Sequence, residues 1–380
     1  MSFPRLFPAF FPLAALALAV SAADAPPIKI GVAGPFTGSG AMYGEMIRKA
    51  ALLALEEVNA AGGVAGRKVE AIFGDDEGKN DKAVTVARQL ANDKEICFVV
   101  GHFNSTCSLA GKPIYKEAQV VEFSPGSTNV SVCEGSDYTF RNVYRDDYQG
   151  SFLADYIKKV LNMSKVAIFF DNDDYGKGLK DAFAARAKKN GLEIVTVQDY
   201  VREKTSDFAP MLDLAKDAKA EAIFVAGLYA ETGTIVKQAR EKGLKAQFLG
   251  GDGVFGPGYI EIGGAATEGT LITTPFMFGP TSSAAAKAFA QRFKDKYGKD
   301  PDAWAALSYD AVVMAVEGLR KVGTGRNDLR DWMETHSSPE TGFKGITGNT
   351  YFDENGDCLK PATVAVVKAG KFELADKQME

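Results

Sequence analysis

Histidine is nearly missing from this chain, with His102 and His336 the only two among 380 residues. A His-rich metal centre or a histidine-based triad therefore lacks its residues. Cysteine is also sparse: Cys97, Cys107, Cys133 and Cys358 form no C-x-x-C pair, which argues against a zinc ribbon or a disulfide-dependent scaffold. No block of Lys/Arg appears and the net charge is −5, which disfavours a nucleic-acid partner. Neither G-x-x-x-x-G-K-[ST] nor G-x-S-x-G occurs. Gly38 to Gly44 approaches G-x-G-x-x-G but is one residue too long and lies beyond the strand end, so dinucleotide binding is not expected. The acid pairs Asp75-Asp76 and Asp173-Asp174 read as solvated loop carboxylates. No catalytic residue, metal or cofactor is expected.

What is present is ordinary globular composition, 46% hydrophobic and 24% charged, in a chain long enough for two domains. Arg5, the apolar run Leu6 to Val20 and the small-residue site Ala23-Asp24-Ala25 describe a cleaved signal peptide over residues 1–25. Pro8 and Pro12 interrupt that run, which is too short for a membrane span. Export makes pairing of cysteines chemically possible. Cys107 and Cys133 both fall in loops or helix starts near the same strand ends and are expected to bridge, whereas Cys97, inside Ile96 to Val100, is expected to be a buried thiol.

From Ile28 onward, short apolar runs alternate with helical periodicities. Strands are predicted at 28–33, 69–73, 96–100 and 120–123, with helices between them. The rhythm restarts after Asp146-Asp147, with strands at 166–170, 194–197, 222–226, 247–249 and 271–274. Three helical patterns and a strand at 362–367 follow. Two tandem α/β lobes with parallel sheets are the natural reading. Each lobe carries the same echo, Lys29 to Ala33 leading to Tyr43-Gly44 and Lys165 to Phe170 leading to Tyr175-Gly176. Doubly wound sheets bind ligands outside the carboxyl ends of such strands, so Tyr43 and Tyr175 are expected to face each other. Gly101 to Thr106 runs from a strand into a helix, where the Ser105 hydroxyl and outward N–H groups suit a carboxylate; Ser124 to Thr128 follows the next strand in the same way.

The order and spacing of Gly38-Ser39-Gly40, Tyr43-Gly44, Asn59-Ala60-Ala61-Gly62-Gly63, Gly101-His102, Ser124-Pro125, Asp174 to Gly178, Gln238-Ala239-Arg240 and Gly250 to Gly253 are distinctive. With them the chain resembles the leucine/isoleucine/valine-type amino-acid-binding proteins, extracytoplasmic receptors of ABC importers. The resemblance implies a type I periplasmic binding protein: two doubly wound Rossmann-like lobes joined by a three-segment hinge. Lobe 1 would comprise residues 26–146 plus 275–349, and lobe 2 residues 147–274 plus 350–380. It also implies a periplasmic monomer that works with a membrane permease and performs no reaction.

By the same resemblance Ser105, Gly126 and Thr128 hold a ligand carboxylate, Asp252 the ammonium, and Tyr175 closes from lobe 2. Tyr43, Phe103 and Trp304 are pocket walls. The chain departs from the leucine-type pattern at Leu228, at the short Asp252, and at Gly78 and Asn104, where the family has a disulfide that Cys107–Cys133 would replace. Arg145 is expected to pair with Asp146 or Asp147. The implied ligand is a small amino acid with a branched-chain or other uncharged side chain. An aromatic acid, amide or urea-like solute is the alternative, as is a sensor role beside a membrane signalling protein.

Overall fold

The computed structural model describes residues 25–379. The signal-peptide run and its charged start lie outside the described residues. Among the described residues, no helix is long and apolar enough to cross a membrane.

Two sheets organise the chain. The first contains β1 (Ile28–Gly34), β2 (Val69–Asp75), β3 (Ile96–Val100), β4 (Val121–Ser124) and β5 (Thr139–Arg141), all parallel, in the order β2-β1-β3-β4-β5. The second contains β6 (Lys165–Asp171), β7 (Glu193–Tyr200), β8 (Ala222–Ala226), β9 (Gln247–Gly250) and β10 (Leu271–Thr274), parallel and in the matching order β7-β6-β8-β9-β10. Each sheet thus has its own point of reversal, between β1 and β3 and between β6 and β8. Open α/β sheets place their ligands at such points.

The reason these segments are strands is visible in their burial. β3 (ICFVV) and β8 (AIFVA) are buried at every position, as strands covered by helices on both faces must be. Helix α1 (Ala41–Ala60) packs on the first sheet and α5 (Asp174–Lys189) on the second, where Phe183 stacks on Phe224 with ring centroids 4.3 Å apart. The start of α5 is chemically marked: the Asp173 carboxylate accepts from the Gly176 N–H at 2.8 Å and so caps it.

The second sheet is not wholly parallel, contrary to the pattern read from the sequence. β13 (Thr363–Lys368) pairs antiparallel with β10, and β14 (Lys371–Leu374) turns back antiparallel to β13. The tight turn at Ala369-Gly370, both with positive φ, makes that reversal possible.

The chain passes between the sheets three times. It leaves β5 for α4 (Asp146–Asp155), which packs on α5. It leaves β10 for α9 (Ala284–Tyr297) and α10 (Ala303–Val322), which return to α1. Finally it leaves the hairpin β11–β12 (Phe343–Gly345, Gly348–Thr350) for β13.

The expected bridge between Cys107 and Cys133 does not form, and all four cysteines are buried free thiols. The two side chains have different surroundings. Cys107 sits in the first turn of α3 (Ser105–Glu117), near Asp76, Arg202 and Asp173, whereas Cys133 points at the Gly356 carbonyl, 3.6 Å away, beside Arg141 and Asp357. Burial holds both thiols protonated, pushing Cys133 up to about 12. Cys97 is the buried thiol expected of it, its Sγ 3.3 Å from the Lys29 carbonyl. Titration of the exported protein in denaturant without reductant should therefore count four thiols; a count of two would restore a bridge.

Candidate functional site

The loops that leave β3 and β4 are built as one unit. The His102 carbonyl accepts from the hydroxyls of Ser124 (2.6 Å), Ser108 (3.3 Å) and Ser127 (3.3 Å), which fastens the second loop to the first. Beneath them Asp76, expected in solvent, is fully buried with its Oδ2 2.6 Å from His102 Nδ1, while His102 Nε2 lies 3.1 Å from the Tyr115 hydroxyl.

One arginine anchors this unit from below, and a second shares its carboxylate partner. Arg141, buried at the end of β5, donates from Nη1 to the carbonyls of Ser127 and Asn129, both at 2.9 Å. Its Nη2 stands 2.6 Å from Asp357 Oδ1. Arg145 pairs with Asp147 as expected (3.0 Å), but it also reaches Asp357 Oδ2 at 2.8 Å. One carboxylate of the third crossing therefore holds two guanidinium groups from the first.

On this base sits a narrow cleft lined by Phe103, Asn104, Ser105, Gly126, Tyr175, Leu228, Asp252, Gly253 and Trp304, with a volume of about 20 Å³. That space is of the order of a single water molecule, so the walls are closed on one another. The structure thus gathers Ser105, Gly126, Phe103, Tyr175, Asp252 and Trp304 around one space. Gly126 belongs there sterically, because a Cβ would stand 2.3 Å from the Phe103 ring. Its N–H is turned to Ser124 Oγ at 3.3 Å.

Two expected residues stand behind the lining. Tyr43, expected as a wall, stacks on Phe103 (centroids 4.6 Å apart) and its hydroxyl donates to the Gly253 carbonyl. The Phe103 and Trp304 rings, edge to face at 4.9 Å, occupy the wall in front of it. Thr128 is buried with its carbonyl accepting from the Asp146 N–H at 2.8 Å, its hydroxyl beside the Asp146 carboxyl.

The α3 end supplies positive polarity. Asn104 occupies the N-cap position, yet its side chain makes no cap bond, and the N–H groups of Ser105 and Thr106 find no partner among the described residues. The Ser105 hydroxyl oxygen accepts from the Asn129 N–H at 3.2 Å, which leaves its proton free to donate.

The opposite wall is acidic. Asp252 Oδ1 accepts from the Tyr175 hydroxyl (2.8 Å), Gln149 Nε2 (3.0 Å) and the Gly253 N–H (3.0 Å). Gln149 Oε1 in turn accepts from the Asp252 N–H (2.8 Å) and the Thr273 hydroxyl (2.9 Å). Burial raises the Asp252 carboxyl to about 6 despite those hydrogen bonds, and burial together with Asp252 drives the Asp146 carboxyl well above its ordinary range. Among the described residues neither acid has a salt-bridge partner. No sequence motif marks Gln149; its spacing of three from Asp146 on one helical face is the signal that could have found it.

Contacts from both sheets' loops meet across the cleft. The Tyr229 hydroxyl donates to the Ser39 carbonyl (2.6 Å), Asn129 Nδ2 to the Asp174 carbonyl (2.7 Å) and the Asp174 N–H to Thr106 Oγ1 (3.2 Å). Among the described residues, no cluster of His, Cys, Asp and Glu is arranged to hold a metal.

Two doubly wound units, closed over a dipolar crevice at their points of reversal, define a bilobed solute-trapping protein. The chain belongs to the periplasmic binding protein family, whose model matches residues 27–371. It is 34% identical over 339 residues to the Leu/Ile/Val-binding protein homolog 1 of Brucella suis, covering 89% of each chain. Among solved structures, a leucine binding protein from Thermotoga maritima superposes with a TM-score of 0.85 at 32% identity, covering 92% of this chain and 97% of that one. A branched-chain amino acid transporter substrate binding protein from Streptococcus pneumoniae, solved with isoleucine, gives the same TM-score and identity over 91% and 98%. The fold is that of the type I periplasmic binding proteins.

The Arg141–Asp357 pair lends itself to a direct test. Asp357→Asn strands a buried guanidinium and should cost about 3 kcal/mol of stability or more. Urea unfolding checks this, and a loss under about 1 kcal/mol, the range of an exposed pair, would remove the pair's structural role.

Proposed function

We propose that this protein is the extracytoplasmic receptor of an ABC importer and that it captures a small amino acid with a branched-chain or other uncharged side chain. The observation that carries the reading is Asp252, a buried carboxylate without a cationic partner, facing the uncapped start of α3 across a closed cleft. An isolated buried charge costs several kcal/mol, and a ligand ammonium supplies the missing partner. A ligand carboxylate is met by the Ser105 hydroxyl and the free N–H groups of α3, with the Gly126 and Thr128 loop beside it. Phe103 and Trp304, backed by Tyr43, take the side chain, and Tyr175 closes from the other side.

Closure is a swing of residues 147–274 plus 350–380 against residues 26–146 plus 275–349. The ligand stabilises the closed form through the contacts that only this form makes. A membrane permease reads the closed pair of lobes, the receptor acts as a periplasmic monomer delivered by its cleaved leader, and no bond in the solute is made or broken. The family match and the branched-chain relatives support this reading.

A thermal-shift panel of amino acids, aromatic acids and amides tests it. A cognate amino acid at about 100 times its Kd should add roughly 2.7 kcal/mol of stability. A response to aromatic acids alone would overturn the amino-acid reading. Asp252→Ala should weaken binding at least tenfold, since hydrogen bonds to a charged group are worth about 1.5–3 kcal/mol; unchanged affinity would end the ammonium assignment.

The pH dependence has a definite sign. Because burial raises Asp252 to about 6, its contribution to stability without ligand is present below the ordinary carboxylate range and lost as pH rises through about 6. Binding an ammonium requires the ionised form, so affinity should fall about tenfold from pH 7 to pH 5, and Asp252→Asn should flatten that fall. Calorimetric titration at both pH values checks this.

A further inference from the structure

Beyond the groups that meet the ligand's carboxylate and ammonium, the cleft wall holds Asn104, a polar side chain left unsatisfied among the described residues. It is 7% exposed, it lines the cleft, and its Oδ1 is buried without a hydrogen-bond partner. Asparagine at an N-cap ordinarily accepts from the helix's first N–H groups, but this amide makes no such bond. Its neighbour is Gly78, at φ +68°, where a Cβ would lie 3.2 Å from Oδ1. The Gly78 N–H is already given to Asp76 Oδ1 at 2.8 Å, so no donor comes from that side.

Ser105 and Asp252 face the two charged ends of the proposed ligand, and the other polar tips around the cleft are engaged. Trp304 Nε1 donates to the Phe255 carbonyl at 2.9 Å, the Tyr175 hydroxyl donates to Asp252 at 2.8 Å, and the Tyr43 hydroxyl donates to the Gly253 carbonyl. The remaining side-chain walls, Phe103 and Leu228, are apolar. An amide in such surroundings discriminates between ligands, because a purely aliphatic solute leaves it unpaired and a hydroxyl or amide pairs it.

We infer that Asn104 is a specificity-determining residue that selects an amino acid bearing a side-chain hydroxyl or amide over its aliphatic isostere. The inference rests on the amino-acid reading and narrows the class of side chain. The amide presents a donor and an acceptor together, so it matches a hydroxyl or a second amide and gains nothing from a methyl group.

The test uses the exported protein, stripped of co-purified solute, and near-isosteric pairs: L-threonine against L-valine, and L-asparagine against L-leucine. Calorimetry should show the polar member of at least one pair binding about tenfold tighter or more. Asn104→Leu should erase or reverse that ratio, and Asn104→Ser, which keeps a hydrogen-bonding group, should retain part of it. Equal or tighter binding of valine and leucine by the native protein overturns the inference, as does an Asn104→Leu ratio identical to the native one. If none of the four binds to folded protein the selection is overturned, and if no amino acid of the wider thermal-shift panel binds either, the amino-acid reading fails with it.

Discussion

The site depends on a carboxylate placed where it is costly to be charged. Asp252 is buried, its Oδ1 is held by Tyr175, Gln149 and Gly253, and a second buried acid, Asp146, shares the same glutamine, with Gln149 Nε2 3.4 Å from Asp146 Oδ1. Hydrogen bonds fix its position without neutralising it. Left alone, such a group keeps its proton to a higher pH than an exposed carboxyl does. The same arrangement gives a cation entering the cleft its strongest reason to remain there.

The architecture explains how that group comes to face a helix start. Two sheets with the same strand order place their points of reversal toward each other, and the loops after β1, β3 and β4 meet those after β6, β8 and β9. Gly253 shows the result in one residue: its carbonyl accepts from Tyr43 of the first unit and its N–H donates to the Tyr175 hydroxyl of the second at 3.1 Å. The echo of Tyr-Gly in the sequence is thus an echo in space.

Much of this was legible beforehand, for identifiable reasons. β3 and β8 are unbroken apolar runs, and α1, α5 and α10 repeat apolar residues at helical spacing, so burial writes itself directly into the pattern. β5 escaped notice because its one apolar residue, Phe140, lies between Thr139 and Arg141, and the antiparallel course of β13 leaves no trace in periodicity. At the site, Ser105, Tyr175 and Asp252 follow strand ends and were foreseeable. Gln149 and Asn104 were not, since the importance of an amide depends on which groups around it are already engaged. Cys107 and Cys133 erred for a related reason, as proximity to similar strand ends does not tell which way a side chain points.

Asp357 sets the mechanics of the whole assembly. By gripping Arg141 and Arg145 together, it rivets the third connection to the first. The proposed swing would then turn about that rivet and carry the distant faces of the two halves along an arc. A swing of this kind converts a small change at the solute into a large displacement at the rim, where a membrane complex would make its contact.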